Sequence, residues 1–408
     1  MINLYLLNLD LLNIIKDYII FKPSNRNELN NTIEIWCNNK NYALICYGHI
    51  SNWNICLIND LSYLFFRNYY FNDNINNWNT SNVTNMEGMF FHTMYFNQPI
   101  NNWNTSNVTN ISMMFCYASS FNQPLNNWNT SNVVNMNCVF NNAKLFNQQL
   151  NNWNTSNVTN MEYMFFNTYS FNQPLNNWNT SNVINMINLF YNAESFNHPL
   201  NNWNTSNVIS IQNMFNNAES FNQPLNNWNT SNVKSMKSTF YSAKKFNQSL
   251  NNWNISNVKD ISNMFCYAEV FNQPLNNWNT SKIINTNFTF SNTKLFNQSI
   301  NEWNTSNIIS MNNMFSNSES FNQSINNWNI SNVKNIDYIF CDSKSFNLSL
   351  NNWNINNIYT MNNSFKNSII QQNNINWYDL QNNESFIKLN NNHYYSDSDS
   401  EYSDSDTD

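Results

Sequence analysis

Four histidines, seven cysteines and twenty-four acidic residues are the groups in this sequence that could hold a metal, activate a nucleophile or relay a proton. Their spacing suits none of these tasks. His49, His92, His198 and His393 lie far apart, with no cysteine or carboxylate at ligand spacing beside them, whereas a metal centre needs three or four converging donors. Cys37, Cys46, Cys56, Cys116, Cys138, Cys266 and Cys341 contain no C-x-x-C pair and are odd in number. They read as small apolar side chains of a reduced, intracellular protein. Two glycines cannot build a phosphate-cradling loop, and no G-x-S-x-G nucleophile turn occurs. Acids such as Glu87 and Glu162 stand singly, as solvated surface residues do. These residues argue against an enzyme and imply neither a metal nor another cofactor.

Charge excludes a further class. The net charge is −7, and Arg26 and Arg67 are the only arginines. Asp397, Asp399, Glu401, Asp404, Asp406 and Asp408 crowd the last residues, with no Lys or Arg after Lys388. Nucleic-acid binding requires a basic stripe that displaces counterions, and none is present.

The elements that would position any site come from a repeat. Thirteen tryptophans run from Trp53 through Trp78, Trp103 and Trp128 to Trp353 at a strict spacing of 25 residues. Two phenylalanine series keep the same period, one through Phe65, Phe90 and Phe115, the other through Phe71, Phe96 and Phe121. Such self-similarity marks a solenoid, in which no single unit buries enough surface to fold alone. One unit spans 75–99, with Ile75, Trp78, Val83, Met86, Met89, Phe90 and Phe96 as apolar positions. Ile75, Trp78 and Thr80 suggest a short strand; the three- and four-residue steps from Val83 to Thr93 suggest a short helix; Asn97-Gln98-Pro99 suggests a corner.

Asparagine takes the place of glycine, since it tolerates positive φ best after Gly. Stacked once per coil, as at Asn79, Asn104 and Asn129, its amides could also bond along the stack. The tryptophans are expected in the core with both phenylalanine series; an exposed ladder suited to sugar rings is the alternative. Positions Thr84, Glu87, Gly88, Phe91, His92, Met94 and Tyr95 differ from coil to coil, so selective contacts are expected there or at the caps.

The pattern L-x-x-W-x-T-S-x-V-x-x-M-x-x-M-F-x-x-A-x-x-F-N-Q, read here in Leu125, Trp128, Thr130, Ser131, Val133, Met136, Val139, Phe140, Ala143 and Phe146, resembles the BspA-like leucine-rich-repeat surface proteins. Their repeat was first described as a mycoplasma domain of unknown function. The resemblance covers about 50–377 and implies a leucine-rich-repeat-like, right-handed coil stack used for protein interaction or adhesion, without catalytic residues. Similar repeats occur in intracellular proteins of large DNA viruses, whose Asn-rich composition this chain shares; that resemblance implies the host cytoplasm rather than secretion. Residues 27–49, with Ile33, Trp36 and Gly48, are similar to the helical lead-in that caps such repeats.

Residues 1–26 open with an apolar run broken by Asp10, Lys16 and Asp17, too often for a membrane span and without the basic start of a signal peptide. An amphipathic helix is expected. Leu9, Leu12, Ile15 and Ile19 within it resemble a degenerate F-box, which implies docking to a ubiquitin-ligase adaptor. Residues 378–408 form a C-terminal segment ending in a Ser/Asp tail that reads as disordered. There Ser396, Ser398, Ser400, Ser403 and Ser405 precede acids, as substrates of acid-directed kinases do. The functional expectation is a non-enzymatic scaffold for protein partners; a ubiquitin-ligase substrate adaptor and a surface adhesin or carbohydrate binder are the alternatives.

Overall fold

The computed structural model describes residues 20–378. Two helices open it, α1 (Arg26–Asn38) and α2 (Lys40–Tyr47). The Asn25 side chain starts α1 by accepting from the Glu28 N–H at 3.0 Å, satisfying one of the donors a helix start leaves free. Leu29, Thr32, Ile33 and Trp36 form its buried face. Asn39 caps the start of α2, and Gly48 (φ 68°) ends it, a conformation that glycine adopts without steric cost. Arg26 ties α1 to the first coil, donating to the carbonyls of Asp60 and Ser62.

From there the chain is a stack of 25-residue coils. A parallel bridge joins each coil to the next, from Asp60–Asn85 to Asn335–Thr360. Every apolar position of the unit turns inward. Trp203 is 2% exposed, and Phe215 and Phe221 are fully buried. The two phenylalanines of one coil stack at 4.1 Å, and each lies over its equivalent in the next coil, at 5.6 Å for Phe215–Phe240 and 6.0 Å for Phe221–Phe246. Indoles stack likewise, Trp203 on Trp228 at 6.5 Å. The Trp203 Nε1–H donates to the Leu175 carbonyl of the preceding coil at 3.0 Å, so burying the ring leaves no orphaned donor.

Neither the strand nor the helix expected in each unit forms. Among the described residues the only helices are α1, α2 and two single 3₁₀ turns, Ile50–Asn52 and Gln372–Asn374. The segment read as helical is a run of tight turns. Met214, Asn216 and Ala218 donate three residues back, to Ile211, Asn213 and Phe215. The intervening Asn213, Phe215 and Asn217 donate out of the coil, to Lys237, Thr239 and Tyr241 of the next. Turns stepping by two and closing over three residues bury side chains at the same spacing as a helix face, but leave alternate N–H groups free for the neighbouring coil. The strand fails for a related reason: the Trp203 N–H turns back to Leu200, and the only bridge falls later, at Ser210.

Of these turns, 211–214 and 215–218 have positive φ at their third residue, as type II turns do. Asn213 (φ 53°) and Asn217 (φ 54°) supply it in that coil. Across the described residues, twelve of the twenty-five non-glycine residues with positive φ are Asn, which explains how a chain with two glycines can turn so often. The inter-coil amide ladder also lies elsewhere than at Asn79. There the amide oxygen accepts from the Ser81 N–H of its own coil at 3.1 Å. The ladder runs instead through Asn97, Asn122, Asn147 and their equivalents. Asn222 Oδ1, for instance, accepts from the backbone N–H of Asn247 and the side-chain amide of Gln248, both at 3.0 Å.

Asn222→Ala removes an acceptor for both and should cost about 1–3 kcal/mol, the range for an unsatisfied buried donor. Asn222→Asp keeps the acceptor and should lose less. Thermal melts of both variants test this, and equal melting of Asn222→Ala and the parent protein contradicts it.

Candidate functional surface

Because the inward positions are filled, the surface is built from the positions between them. The tryptophans and phenylalanines singled out in the sequence are brought together inside. Trp78, Trp103 and Trp128 are at most 4% exposed, with Trp103 and Trp128 stacked at 6.3 Å. Phe90–Phe96 and Phe115–Phe121 stack at 3.9 and 4.0 Å, and Phe90–Phe115 and Phe96–Phe121 continue the columns. Stacking on a sugar ring needs an open aromatic face, which these rings do not have. Leu9, Leu12, Ile15 and Ile19, and the serines from Ser396 to Ser405, lie outside the described residues.

The groups capable of chemistry are dispersed. His49 Nδ1 contacts the Ser51 hydroxyl at 2.7 Å, and His198 Nε2 contacts the Asn172 carbonyl at 3.1 Å. His92 stacks on Tyr117 at 4.2 Å, its pKa lowered by burial and by the nearby Arg67 charge. Among the described residues no three His, Cys, Asp or Glu side chains converge as a metal would need. Burial pushes the Cys266 thiol up to about 12 and raises Cys116 as well. Burial, then the Asp73 carboxylate, push Cys37 up to about 12. These are the reverse of the shifts that make a cysteine nucleophilic.

What the stack does offer is aligned side chains, in three places. On the first coils, Tyr63, Phe66, Arg67, Tyr69, Tyr70 and Tyr95 are gathered at the surface. The Arg67 guanidinium lies 5.0 Å from the Phe66 ring, and Tyr70 stacks on Tyr95 at 5.4 Å. Tyr70 is 82% exposed. The Tyr63 hydroxyl donates to Glu87 at 2.9 Å; burial, then this bond, push its pKa up to about 12. Beside these rings a cleft of about 320 Å³ runs between α1 and the first coil, lined by Trp36, Lys40, Tyr69, Tyr70 and Asp73 among others. Asp73 closes its floor, accepting from Trp36 Nε1–H at 2.8 Å and pairing with Lys40 at 2.5 Å.

The second place is a column of alternating charge, with Lys244–Glu219 at 2.6 Å and Lys294–Glu269 at 3.1 Å. The third is the column at Thr84 and its equivalents. The backbone there is a continuous ladder, each N–H donating to the same position of the preceding coil, as in Ile209 to Ile184, Lys234 to Ile209 and Lys259 to Lys234. Its side chains therefore stand in register on the outside.

Sequence reasoning named Thr84, Glu87 and Tyr95 as variable positions but did not find the aromatic patch as a unit. The run Tyr63–Phe71, with six aromatic residues in nine, was the available signal. It entered the sequence reading only through Phe65 and Phe71, the first members of the two phenylalanine series.

Among the described residues no helix is long and apolar enough to cross a membrane. No curated protein matches the chain. The family described as "Mycoplasma protein of unknown function, DUF285" matches it in four overlapping stretches, residues 33–144, 123–222, 198–290 and 268–378. Together they run from within α1 through the last described coil, and by that coverage the chain belongs to the DUF285 family of tandem-repeat proteins.

Proposed function

We propose that this chain is a non-enzymatic scaffold that binds a protein partner through its first coils. The observation that carries this reading is the patch of Tyr63, Phe66, Arg67, Tyr69, Tyr70 and Tyr95 beside the α1 cleft. Tyr and Arg are the residue types that dominate interface hot spots, and contiguous exposed aromatic surface is otherwise a liability. The remaining coils act as a rigid spacer of fixed pitch. Kinship with the BspA-like proteins, with their right-handed leucine-rich-repeat-like winding, is the finer reading we favour, because the repeat pattern and the single parallel bridge per coil suit it. A viral, intracellular setting accords with the Asn-rich composition.

Affinity capture from host lysate tests the proposal with three baits: the full chain, a chain lacking residues 1–19, which keeps the Asn25 cap and the Arg26 tie to the first coil, and Tyr70→Ala/Tyr95→Ala. Both substitutions are at exposed rings and should leave the fold intact. The expected result is a partner retained by the full chain and the truncated chain and lost, by tenfold or more for hot-spot residues worth about 1.4 kcal/mol or above, from the double variant. A partner lost only on removing 1–19 overturns this in favour of adaptor docking through Leu9, Leu12, Ile15 and Ile19. Retention on immobilised glycans, with no protein partner, favours the adhesin.

A further inference from the structure

Arg67 is out of place in its coil. It stands at φ 57°, in the left-handed region, where side chains other than Asn are strained. Seven of the twelve equivalent positions in later coils, from Asn142 to Asn367, are Asn. Its charge is also unmatched. Arg67 is the only Lys or Arg between 53 and 100, and among the described residues it joins none of the ion pairs. Asp60, Asp73 and Glu87, the carboxylates of that stretch, are engaged elsewhere. Asp60 Oδ1 accepts from the Ser62 N–H at 2.8 Å. Glu87 accepts from the Tyr63 hydroxyl at 2.9 Å and the Asn110 amide at 3.0 Å. Asp73 gives one oxygen to Lys40 and the other to Trp36. A cation without a partner, on strained backbone, points to a contact outside the chain.

The surroundings of Arg67 suit a narrow guest. Its guanidinium lies 5.0 Å from the Phe66 ring, a cation–π contact that restrains the long side chain. Arg67, Tyr69 and Tyr70 line the coil side of the cleft of about 320 Å³, and Trp36 lines the helix side. That volume is close to the lower end for ligand sites, about 300 Å³, so the cleft admits a short peptide segment and not the face of a globular partner. Lys40 and Asp73 neutralise each other within it. Burial and the Arg67 charge lower the His92 pKa, so His92 adds no second cation at neutral pH. The free charge of the cleft is that of Arg67 alone. We infer that the cleft takes an acidic peptide segment of the protein partner, with an Asp or Glu carboxylate on the Arg67 guanidinium and an apolar side chain on the stacked Tyr70 and Tyr95 rings.

This rests on the reading of the first coils as the partner site and names the chemistry that the site selects. A guanidinium fork donates two parallel N–H bonds to a carboxylate. An amide of the same shape offers a single acceptor and no charge, so exchanging Glu for Gln in the guest should weaken binding about tenfold or more. A basic segment would bring a like charge against Arg67 and is rejected. The aromatic rings contribute contact area to any apolar neighbour of the acid, while Arg67 decides which segment is accepted.

An array of end-blocked peptides, in which Asp, Glu, Gln, Lys or phosphotyrosine is flanked by Leu, Phe or Tyr, tests this when probed with the full-length protein. The expected result is retention on the Asp and Glu peptides about tenfold or more above the Gln and Lys peptides. Arg67→Asn should lose that preference while melting no lower than the parent, because Asn suits the left-handed backbone. Arg67→Glu should move the preference to the Lys peptides, an exchange that only direct contact produces. Equal retention of Glu and Gln peptides, a preference for phosphotyrosine, or an acidic preference that survives Arg67→Asn overturns the inference. If Tyr70→Ala/Tyr95→Ala still abolishes retention in that case, the first coils remain the partner site and only the acidic chemistry falls. Failure to retain any peptide in a manner that the double variant removes overturns both.

Discussion

Trp203→Ala should destabilise the protein by about 3–5 kcal/mol, the cost of emptying a buried aromatic site. The ring is 2% exposed and lies between Trp178 and Trp228 at 6.2 and 6.5 Å, with Phe190 at 6.2 Å. Its removal opens a cavity shared by three coils and leaves the Leu175 carbonyl without its indole donor. Neighbouring coils cannot collapse into the gap without dragging two phenylalanine columns out of register, so the cost should fall at the upper end. In a stack whose stability is a sum of unit and interface terms, the damage should appear as early melting of central coils, not as a uniform shift. In the parent protein, tryptophan emission should be blue-shifted and poorly quenched by iodide. Unchanged stability in Trp203→Ala, with red-shifted and freely quenched emission in the parent, would place the indoles outside.

The sequence made the period and the inward positions legible because both depend on side chains alone. The positions of Trp203, Val208 and Phe215 are apolar in every coil, and those of Ile211 and Met214 in all but Thr286 and Thr239, Thr289 and Ser364. The Trp203, Phe215 and Phe221 rings each stack on their own equivalents above and below. The secondary structure was not legible in the same way. A helix and a chain of turns give the same apolar spacing and differ in where the N–H groups go. Asn213 N–H bonds to Lys237, twenty-four residues on, a partner that local spacing cannot reveal. The amide ladder was misplaced for a similar cause: Asn204 and Asn222 are equally regular in the sequence, yet Asn204 bonds within its coil to Ser206 and only Asn222 reaches the next. The surfaces were least legible. Tyr63, Phe66 and Tyr70 fall between the inward positions Leu64, Phe65 and Phe71, where a period of 25 does not reveal which side chains meet outside.

The central claim is that every coil is the same structural unit, locked to its neighbours by a 25-residue phase. A matched pair of deletions measures that phase directly. Removing 151–175 joins Leu150 to Asn176 and moves Trp178, Phe190 and Phe196 into the places of Trp153, Phe165 and Phe171. The inter-coil backbone bonds are then re-formed by equivalent residues, with the Thr168 hydroxyl bond to the Phe140 carbonyl lost because Ala193 takes its place. Removing only 151–162 brings Tyr163 to the place of Asn151 and throws the indole and both phenylalanine columns out of phase at the junction, so the coils on either side cannot stack. Circular dichroism and thermal melting of the two purified proteins decide the matter. A cooperative melt close to that of the parent for the 25-residue deletion, and a broad, strongly lowered transition for the 12-residue deletion, is the result the stacked-coil account predicts. Indistinguishable spectra and melting for the two would contradict it.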